Sequence, residues 1–258
     1  MIERGELRST FYEIDRQMDL LRGRLGGSVI GNTDFMDRLE TSWIYHEHAM
    51  EGVVLTQDEI KAALDSQPVS DISLAPVYED VRRQKIAIDQ IRRMTQKKRV
   101  TINLDLVKKV HQMFLGDDDG KAAGKYRKDI PIHRSYFHEI TPPDKITVRM
   151  RQLMDWLDTQ EAKRMHPVKL GARLHYEFLR IYPFTHHSGR IARLLMNIIL
   201  LQNDYLPAII HAVERQRYYE ALRLPAAPSI TLVIESMENG IQSALKILPS
   251  RDSARVAV

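Results

Sequence analysis

The stretch RIYPFTHHSGRIARLLMNIILL, residues 180–201, concentrates residue types that bind anions and transfer protons. Gly189 lets a backbone approach a ligand closely, and Arg190 and Arg193 lie one helical turn apart. Ser188 is of a type that caps helix starts, and the following apolar run is typical of a buried helix, whose free N–H groups favour an anion. The pattern predicts a loop and core helix that hold a di- or triphosphate.

The pattern alone leaves other interpretations open. A capped core helix that carries both arginines on the protein surface has the same sequence features. The adjacent His186 and His187 are metal-ligand types, but neighbouring side chains point apart on an extended loop and by about 100° on a helix. They do not favour a shared metal ion. His166, His175 and His211 would complete a metal site only if the fold brought them together.

Helical periodicity dominates the rest of the chain and predicts an all-α fold. Gly26 and Gly27 end the first helix, Asn32 or Thr33 caps the second, and Thr56 with Glu59 forms a capping box for the third. The predicted helices span residues 2–25, 33–50, 57–64, 77–96, 104–115, 147–160, 168–180, 189–203, 214–222 and 230–247.

One segment departs from helical spacing. KDIPIHRSYFHEITPP, residues 128–143, places apolar and β-branched residues between prolines, which predicts a short hairpin near 130–141. No repeat or low-complexity linker divides the chain. We therefore expect a single domain over 1–258, with N-terminal helices at 1–66 and a core at 77–248.

Composition narrows the functional classes. The 258 residues are 43% hydrophobic and 28% charged, with a formal net charge of +4 and no cysteine, which excludes disulfides and cysteine-based zinc sites. The tight basic cluster at Lys97, Lys98 and Arg99 is typical of a solvated helix end, so nucleic-acid binding is not indicated. The N-terminal sequence is not typical of a signal peptide and the apolar run Leu194–Leu201 is too short to cross a bilayer. We expect a soluble, cytoplasmic protein without a membrane partner.

The loop and helix at 182–193 resemble the core motif of the Fic (Fido) family, His-Pro-Phe-x-[Asp/Glu]-Gly-Asn-Gly-Arg-x-x-Arg. ARLHYEFLRIYPF and RLLMNIILL are similar to the segments that flank the motif in that family, and ERQRYYEAL resembles a downstream segment near the nucleotide base. GKYRKDIPIHRSYFHEITPP stands where the family has a β-hairpin flap that aligns a target protein by strand addition.

The resemblance implies a mainly helical Fic fold with one small β-hairpin flap. Members of the family typically transfer AMP from ATP to a Ser, Thr or Tyr hydroxyl of a target protein. The partner implied for this chain is therefore a target protein that docks at the 130–141 hairpin.

The chain departs from the motif where the family performs its chemistry. Tyr182 stands in the place of the catalytic His, the general base. A free imidazole titrates near pH 6.5 and a phenol near pH 10, so a tyrosine is protonated at neutral pH. His186 stands in the place of the Asp/Glu that binds Mg²⁺, a hard ion that imidazole suits poorly.

Two further departures affect the phosphate cradle. His187 replaces a Gly and adds a side chain where backbone N–H groups curl around a phosphate, whereas Ser188 replaces an Asn and keeps the ability to cap. The resemblance implies that Ser188, Gly189, Arg190 and Arg193 form a retained phosphate-binding group. The motif residues that match the family are Pro183, Phe184, Gly189, Arg190 and Arg193.

EHAMEG, residues 47–52, resembles the inhibitory helix [Ser/Thr]-x-x-x-Glu-[Gly/Asn] of many Fic proteins, whose Glu pairs with the last Arg of the motif and blocks the γ-phosphate. Glu47 stands in the Ser/Thr place, and Glu51 and Gly52 are retained. The resemblance implies a contact between Glu51 and Arg193. Taken alone, Glu51 is typical of a solvated helix-end carboxylate. A retained contact with Arg193 is also compatible with a structural salt bridge that holds the N-terminal helices to the core.

These departures predict a Fic-fold pseudoenzyme that lacks ordinary AMP transfer and acts by binding a nucleotide or a protein partner. ATP or another nucleotide is the ligand to test, and Mg²⁺ binding is not expected. The alternative is an active adenylyltransferase or nucleotidyltransferase with an altered base, metal or donor, in which His186 or His187 replaces the base or Tyr182 becomes the modified group. A structural or nucleic-acid-binding protein is a third hypothesis. The target protein and a homo-oligomeric state are left open.

Overall fold

The computed structural model describes residues 4–65, 72–97, 99–115, 124–131 and 138–248, with the backbone alone for residues 4–9. Short 3₁₀ turns at Ile72–Leu74, Pro143–Lys145 and Ala212–Glu214 lead into three of the helices. The α-helices of the described residues are α1 (Arg4–Arg24), α2 (Thr33–Met50), α3 (Gln57–Leu64), α4 (Ala75–Lys97), α5 (Leu104–Phe114), α6 (Ile146–Leu157), α7 (Gln160–Lys163), α8 (Pro167–Ile181), α9 (Ser188–Leu201), α10 (Arg215–Arg223) and α11 (Ala226–Ile247).

The predicted caps of the N-terminal helices are confirmed. The side chain of Asn32 accepts a hydrogen bond from the Phe35 N–H at 3.0 Å at the start of α2. Thr56 and Glu59 form the reciprocal capping box of α3. Each bond satisfies an N–H group that the first turn of a helix leaves without a partner.

Most predicted helix boundaries agree with the structure to within two residues, and the two largest differences are the following. The segment predicted as one helix over 147–160 is divided into α6 and α7, because Thr159 caps a new helix by accepting a hydrogen bond from the Ala162 N–H at 3.2 Å. The last helix begins at Ala226, earlier than predicted. Pro228 lies in its first turn, where a missing N–H leaves no helical hydrogen bond unmade.

The predicted β-hairpin is not confirmed. Residues 132–137, its central part, lie outside the described residues. Its described flanks, 130–131 and 138–141, are not in strand conformation, and no strand occurs elsewhere in the part of the chain that the structure describes. The hairpin therefore stays a prediction.

Helix α9 lies at the centre of the fold. All of its side chains are buried, and it packs against α4, α5 and most extensively α8. Helix α8 in turn packs against α6 and α11, and α11 against α1. The prediction of a central buried helix is confirmed. Across the described ranges, no helix combines the length and the apolarity that a membrane span needs.

Candidate functional site

Two left-handed residues bound the loop between α8 and α9. Tyr182 follows the last turn of α8 with φ 49°, and His187 precedes α9 with φ 61°. A left-handed conformation costs a residue with a Cβ roughly 1–2 kcal/mol. Glycine adopts this backbone conformation without strain. The Fic motif has a glycine at the position of His187.

Ser188 does not cap α9, so that prediction is wrong. It is the first helical residue, and His187 stands at the cap position without a side-chain capping bond. The Ser188 hydroxyl instead accepts a hydrogen bond from the Phe184 N–H at 3.0 Å and donates one to the Phe184 carbonyl at 2.8 Å. A serine hydroxyl has one proton to donate, and here it goes to the Phe184 carbonyl. The two bonds hold Phe184 of the loop against the first turn of α9.

Arg127 holds the end of α8 and the beginning of the loop. Its Nε donates to the Tyr182 carbonyl at 2.7 Å and its Nη2 to the Ile181 carbonyl at 3.3 Å and to the Thr141 carbonyl. Its backbone N–H donates to the Pro183 carbonyl at 2.9 Å. The bonds to Ile181 and Tyr182 satisfy carbonyls that the last turn of a helix leaves free. The sequence pattern gave Arg127 no role beyond its place in the flap-like segment.

Arg193 lies in a buried ion pair with Glu47. Its Nε is 2.9 Å from both carboxylate oxygens of Glu47, and its Nη2 is 2.6 Å from one of them. The Trp43 indole N–H donates to Glu47 at 3.3 Å, and Arg193 Nη1 donates to the Tyr218 hydroxyl at 3.4 Å. Burial alone lowers the pKa of Arg193, but the Glu47 carboxylate raises it well above the ordinary value. The pair joins α2 to α9.

The predicted contact between Glu51 and Arg193 is present, but it is the weaker of two. Glu51 Oε1 is 3.5 Å from Arg193 Nη2, and the Glu51 side chain is 30% exposed. A Cβ at Gly189 would stand 3.3 Å from Arg193 Nη1 and 3.7 Å from Glu51 Oε1. Gly52, with φ 92°, directly follows Glu51 at the end of α2. A carboxylate of the chain itself therefore lies beside the helix end that favours an anion.

Arg190 is paired with a carboxylate of α4. Its Nη1 is 2.8 Å and 2.7 Å from the two oxygens of Asp80. The Nε2 atom of His48 lies 3.2 Å from Asp80, within ion-pair distance but outside hydrogen-bond geometry. Burial alone raises the pKa of Asp80, but His48 and Arg190 together hold it well below the ordinary value. Arg190 and Arg193 are 3% and 2% exposed, so the surface interpretation of the two arginines is wrong.

Histidines surround the other side of the loop. His186 is exposed, whereas His187 is half-buried and stacks on Phe114 with ring centroids 5.6 Å apart. His111 stacks on Phe184 at 3.8 Å, and burial, together with the neighbouring His187, lowers its pKa to about 4. Burial lowers the pKa of His187 as well. Around neutral pH, His111 therefore presents an uncharged ring to the loop.

The remaining histidines of the metal hypothesis do not converge. Within the described ranges, no three His, Asp or Glu side chains are arranged to hold a metal ion. The histidines lie in separate parts of the fold, each with its own partner: Asp15 at 3.0 Å from His166, Tyr218 at 2.9 Å from His175, and His46 stacked at 4.2 Å on His211.

We expect His175 to make the protein less stable at mildly acidic pH. Its ring is fully buried beside Tyr218, and burial lowers its pKa to about 3. The unfolded chain, in which the pKa is about 6.5, binds this proton more readily. The free energy of unfolding therefore falls as pH drops below about 6.5, by up to roughly 1.4 kcal/mol per pH unit.

A His175→Gln variant retains an acceptor for Tyr218 and cannot titrate. Its free energy of unfolding in urea should be measured from pH 7 to 5. The slope of this free energy against pH should correspond to about one proton fewer taken up on unfolding than in the wild type. Parallel curves for the two proteins would show that His175 is not the group responsible.

The arrangement of these helices and of the loop at 182–193 defines the Fic class of fold. Residues 101–200 match the model of the Fic/DOC family. The protein adenylyltransferase Fic of Drosophila willistoni is 30% identical over 184 residues, which are 70% of this chain and 36% of that relative. The chain belongs to the Fic/DOC family. It spans little more than a third of the length of this curated relative.

Solved structures agree on the fold. Fic-1 from C. elegans has a TM-score of 0.78 and 22% identity, and the match covers 93% of this chain and 72% of that one. IbpAFic2 in complex with adenylylated Cdc42 has a TM-score of 0.50 and 16% identity, over 90% of this chain and 70% of that one. The mainly helical Fic fold implied by the resemblance is therefore present, without confirmation of its hairpin.

Proposed function

We propose that this chain is a Fic-family protein that lacks ordinary AMP transfer and acts by binding a nucleotide or a partner protein. The observation that carries the proposal is the environment of Tyr182, which stands in the place of the family's general base. Its side chain is 2% exposed, and a general base must reach the hydroxyl proton that it removes. A missing base typically lowers the rate by about 10²–10⁴-fold.

The side chains around the loop do not suit Mg²⁺. His186 offers an imidazole nitrogen, whereas Mg²⁺ prefers oxygen ligands in octahedral geometry. The carboxylates nearest to α9 are already paired with arginines: Glu47 and Glu51 with Arg193, and Asp80 with Arg190. We therefore assign no reaction step to a metal ion.

The two carboxylates of α2 support an inhibitory role for this helix. Glu47 and Glu51 both contact Arg193, the arginine that the resemblance assigns to phosphate binding. A phosphate group that pairs with Nε or Nη2 of Arg193 competes with these carboxylates. Glu47 is the stronger obstacle, because its contacts with Arg193 are shorter and fully buried.

A protein partner is supported by the relatives. IbpAFic2, which shares the fold, is known in complex with adenylylated Cdc42. The family places its target-aligning flap at the 130–141 segment. Arg127 links the end of this segment to the loop, because it donates hydrogen bonds to the carbonyls of Thr141 and Tyr182. We propose that a partner protein of this chain docks at the same segment.

The second candidate function is an active transferase with a substituted base. The observation that favours it is His186, an exposed imidazole on the loop itself. An imidazole can both accept and donate a proton, which is what general acid–base catalysis requires.

Calorimetric titration with ATP, GTP and a CDP-linked donor, with and without Mg²⁺, separates these functions. We expect the affinity for a nucleotide to be independent of Mg²⁺ and to increase by about tenfold or more, roughly 1.4 kcal/mol, in a Glu47→Gln, Glu51→Gln variant. Binding without turnover supports a nucleotide sensor, and no binding in either protein supports a role in protein interaction alone. Nucleotide-labelled target protein would contradict the proposal and support the active transferase.

A further inference from the structure

A groove between α6 and α8 lies outside the loop that carries the two motif arginines. It encloses about 560 Å³, and residues 139–142 close one edge. Its lining includes Ile181 but, among the residues that the structure describes, none of 182–193. Residues 139–141 of this edge belong to the 130–141 segment, so a partner that docks at that segment would contact the groove as well.

The charge of the groove is predominantly positive. Its carboxylates, Glu139 and Glu177, neutralise the arginines of α8 only weakly: the closest approaches are 3.8 Å from Arg173 Nε to Glu177 and 4.0 Å from Arg180 Nη2 to Glu139. Half-exposed pairs at such distances contribute about 1 kcal/mol or less. The basic side chains of the lining are Lys145, Arg149, Arg173 and Arg180.

The basic side chains are available for an anionic ligand. In the described parts of the chain, no carboxylate lies within ion-pair distance of Lys145 or Arg149, and Arg149 only donates to Gln152 at 3.2 Å. The guanidinium of Arg173 lies 5.3 Å from the centre of the Trp156 ring, which fixes its position. Its Nε atom is buried and makes no hydrogen bond to any described residue. Glu177, at 3.8 Å, is too distant to accept this bond, so a ligand that supplies an acceptor to the buried Nε atom would be favoured.

Part of the groove lining is apolar. It includes Leu153 and Trp156 of α6 and Ile181 of α8, with Ile140 and Pro142 along the edge. A ligand that satisfies both the basic and the apolar side chains carries carboxylates next to apolar side chains. A nucleic acid is a poorer match, because its phosphates would meet Glu139 and Glu177 and its backbone would leave the apolar side chains uncovered.

We infer that this groove binds an acidic segment of a partner protein that also carries apolar side chains. The inference rests on the partner-binding part of the proposed function and names the chemistry of the partner. Carboxylates of the segment pair with Lys145, Arg149 and Arg173, and its apolar side chains cover Leu153 and Trp156. Complementary charge at such a surface accelerates association and makes binding sensitive to salt.

Fluorescence anisotropy with a short labelled peptide of alternating glutamate and leucine tests the groove. A Lys145→Glu, Arg149→Glu variant reverses two exposed charges of the lining and should bind the peptide about tenfold or more weakly than the wild type. The matched control is Arg93→Glu, Lys97→Glu, an exposed basic pair at the same spacing on α4, and its affinity should equal that of the wild type. A Lys145→Gln, Arg149→Gln variant removes the two charges without reversing them, so its affinity for the peptide should lie between those of the wild type and of the Lys145→Glu, Arg149→Glu variant.

Three results would overturn the inference. They are an equal loss of affinity in the groove variant and the control, no binding of the peptide by the wild type at millimolar concentration, and tighter binding of single-stranded RNA or of a lysine–leucine peptide than of the acidic one. None of them would bear on AMP transfer, because the groove and the 182–193 loop have no residue in common. Failure of this inference is therefore distinguishable from failure of the proposed function.

Discussion

Replacing Glu47 by alanine is expected to lower the free energy of unfolding by about 3–5 kcal/mol, the usual cost of removing one partner of a buried ion pair. Arg193 would remain buried and charged, with Glu51 at 3.5 Å as its nearest carboxylate among the described residues. The Trp43 indole N–H would lose its acceptor as well. Urea unfolding followed by circular dichroism measures the loss.

Glu51→Ala is the matched control on the same helix. It should cost about 1 kcal/mol or less, because the Glu51 side chain is 30% exposed and lies farther from Arg193. Arg193→Met combined with Glu47→Ala should be more stable than Glu47→Ala alone, since no unpaired charge then remains buried. Equal losses from the two single carboxylate variants would contradict the assignment of Glu47 as the main partner of Arg193.

Restoring the Fic motif is expected to produce AMP transfer, an activity that we propose the natural sequence lacks. The four changes are Tyr182→His, His186→Asp, His187→Gly and Ser188→Asn. The restored base alone should contribute about 10²–10⁴-fold once the other positions are in place. Glu47→Ser and Glu51→Gly should add to the activity, because both carboxylates occupy Arg193. Transfer of labelled AMP to proteins of a cell lysate, in the presence of Mg²⁺, is the measurement.

The effects of these changes should be strongly non-additive, because base, metal ligand and phosphate cradle act as a unit. Tyr182→His alone should recover little activity, since His186 and His187 still disturb the metal site and the cradle. A single Tyr182→His variant as active as the fourfold variant would contradict this expectation and would leave the other departures without effect on the chemistry.

Local patterns in the sequence were sufficient to predict most helices and the position of α9. Asn32, Thr56 and Glu59 act through bonds to backbone groups a few residues away, so their effect is visible in the sequence itself. The apolar run of α9, which Asn197 interrupts, is typical of a helix that is buried on all sides. The prediction was wrong at Ser188, where the left-handed backbone of His187 supplies the cap position and the hydroxyl turns back to Phe184.

The charge pairs of the site could not be predicted with the same success. Asp80 precedes Arg190 by more than a hundred residues, and nothing in its own neighbourhood distinguishes it from a solvated helix carboxylate. The resemblance indicated Glu51 as the partner of Arg193 but gave Glu47 only the place of a Ser or Thr. Which of two carboxylates on one helix lies closer to an arginine depends on how α2 packs, and that is a property of the tertiary structure.

The most direct measurement is AMP transfer by the unmodified chain compared with an Arg190→Ala variant, at a temperature at which both are folded. Each is incubated with α-labelled ATP and Mg²⁺, alone and with cell lysate. If Tyr182 is not a general base and the loop does not hold Mg²⁺, the natural protein labels neither itself nor a target above the level of the variant. Robust labelling by the natural protein that Arg190→Ala abolishes would contradict the loss of AMP transfer and would assign the chemistry to His186 or His187.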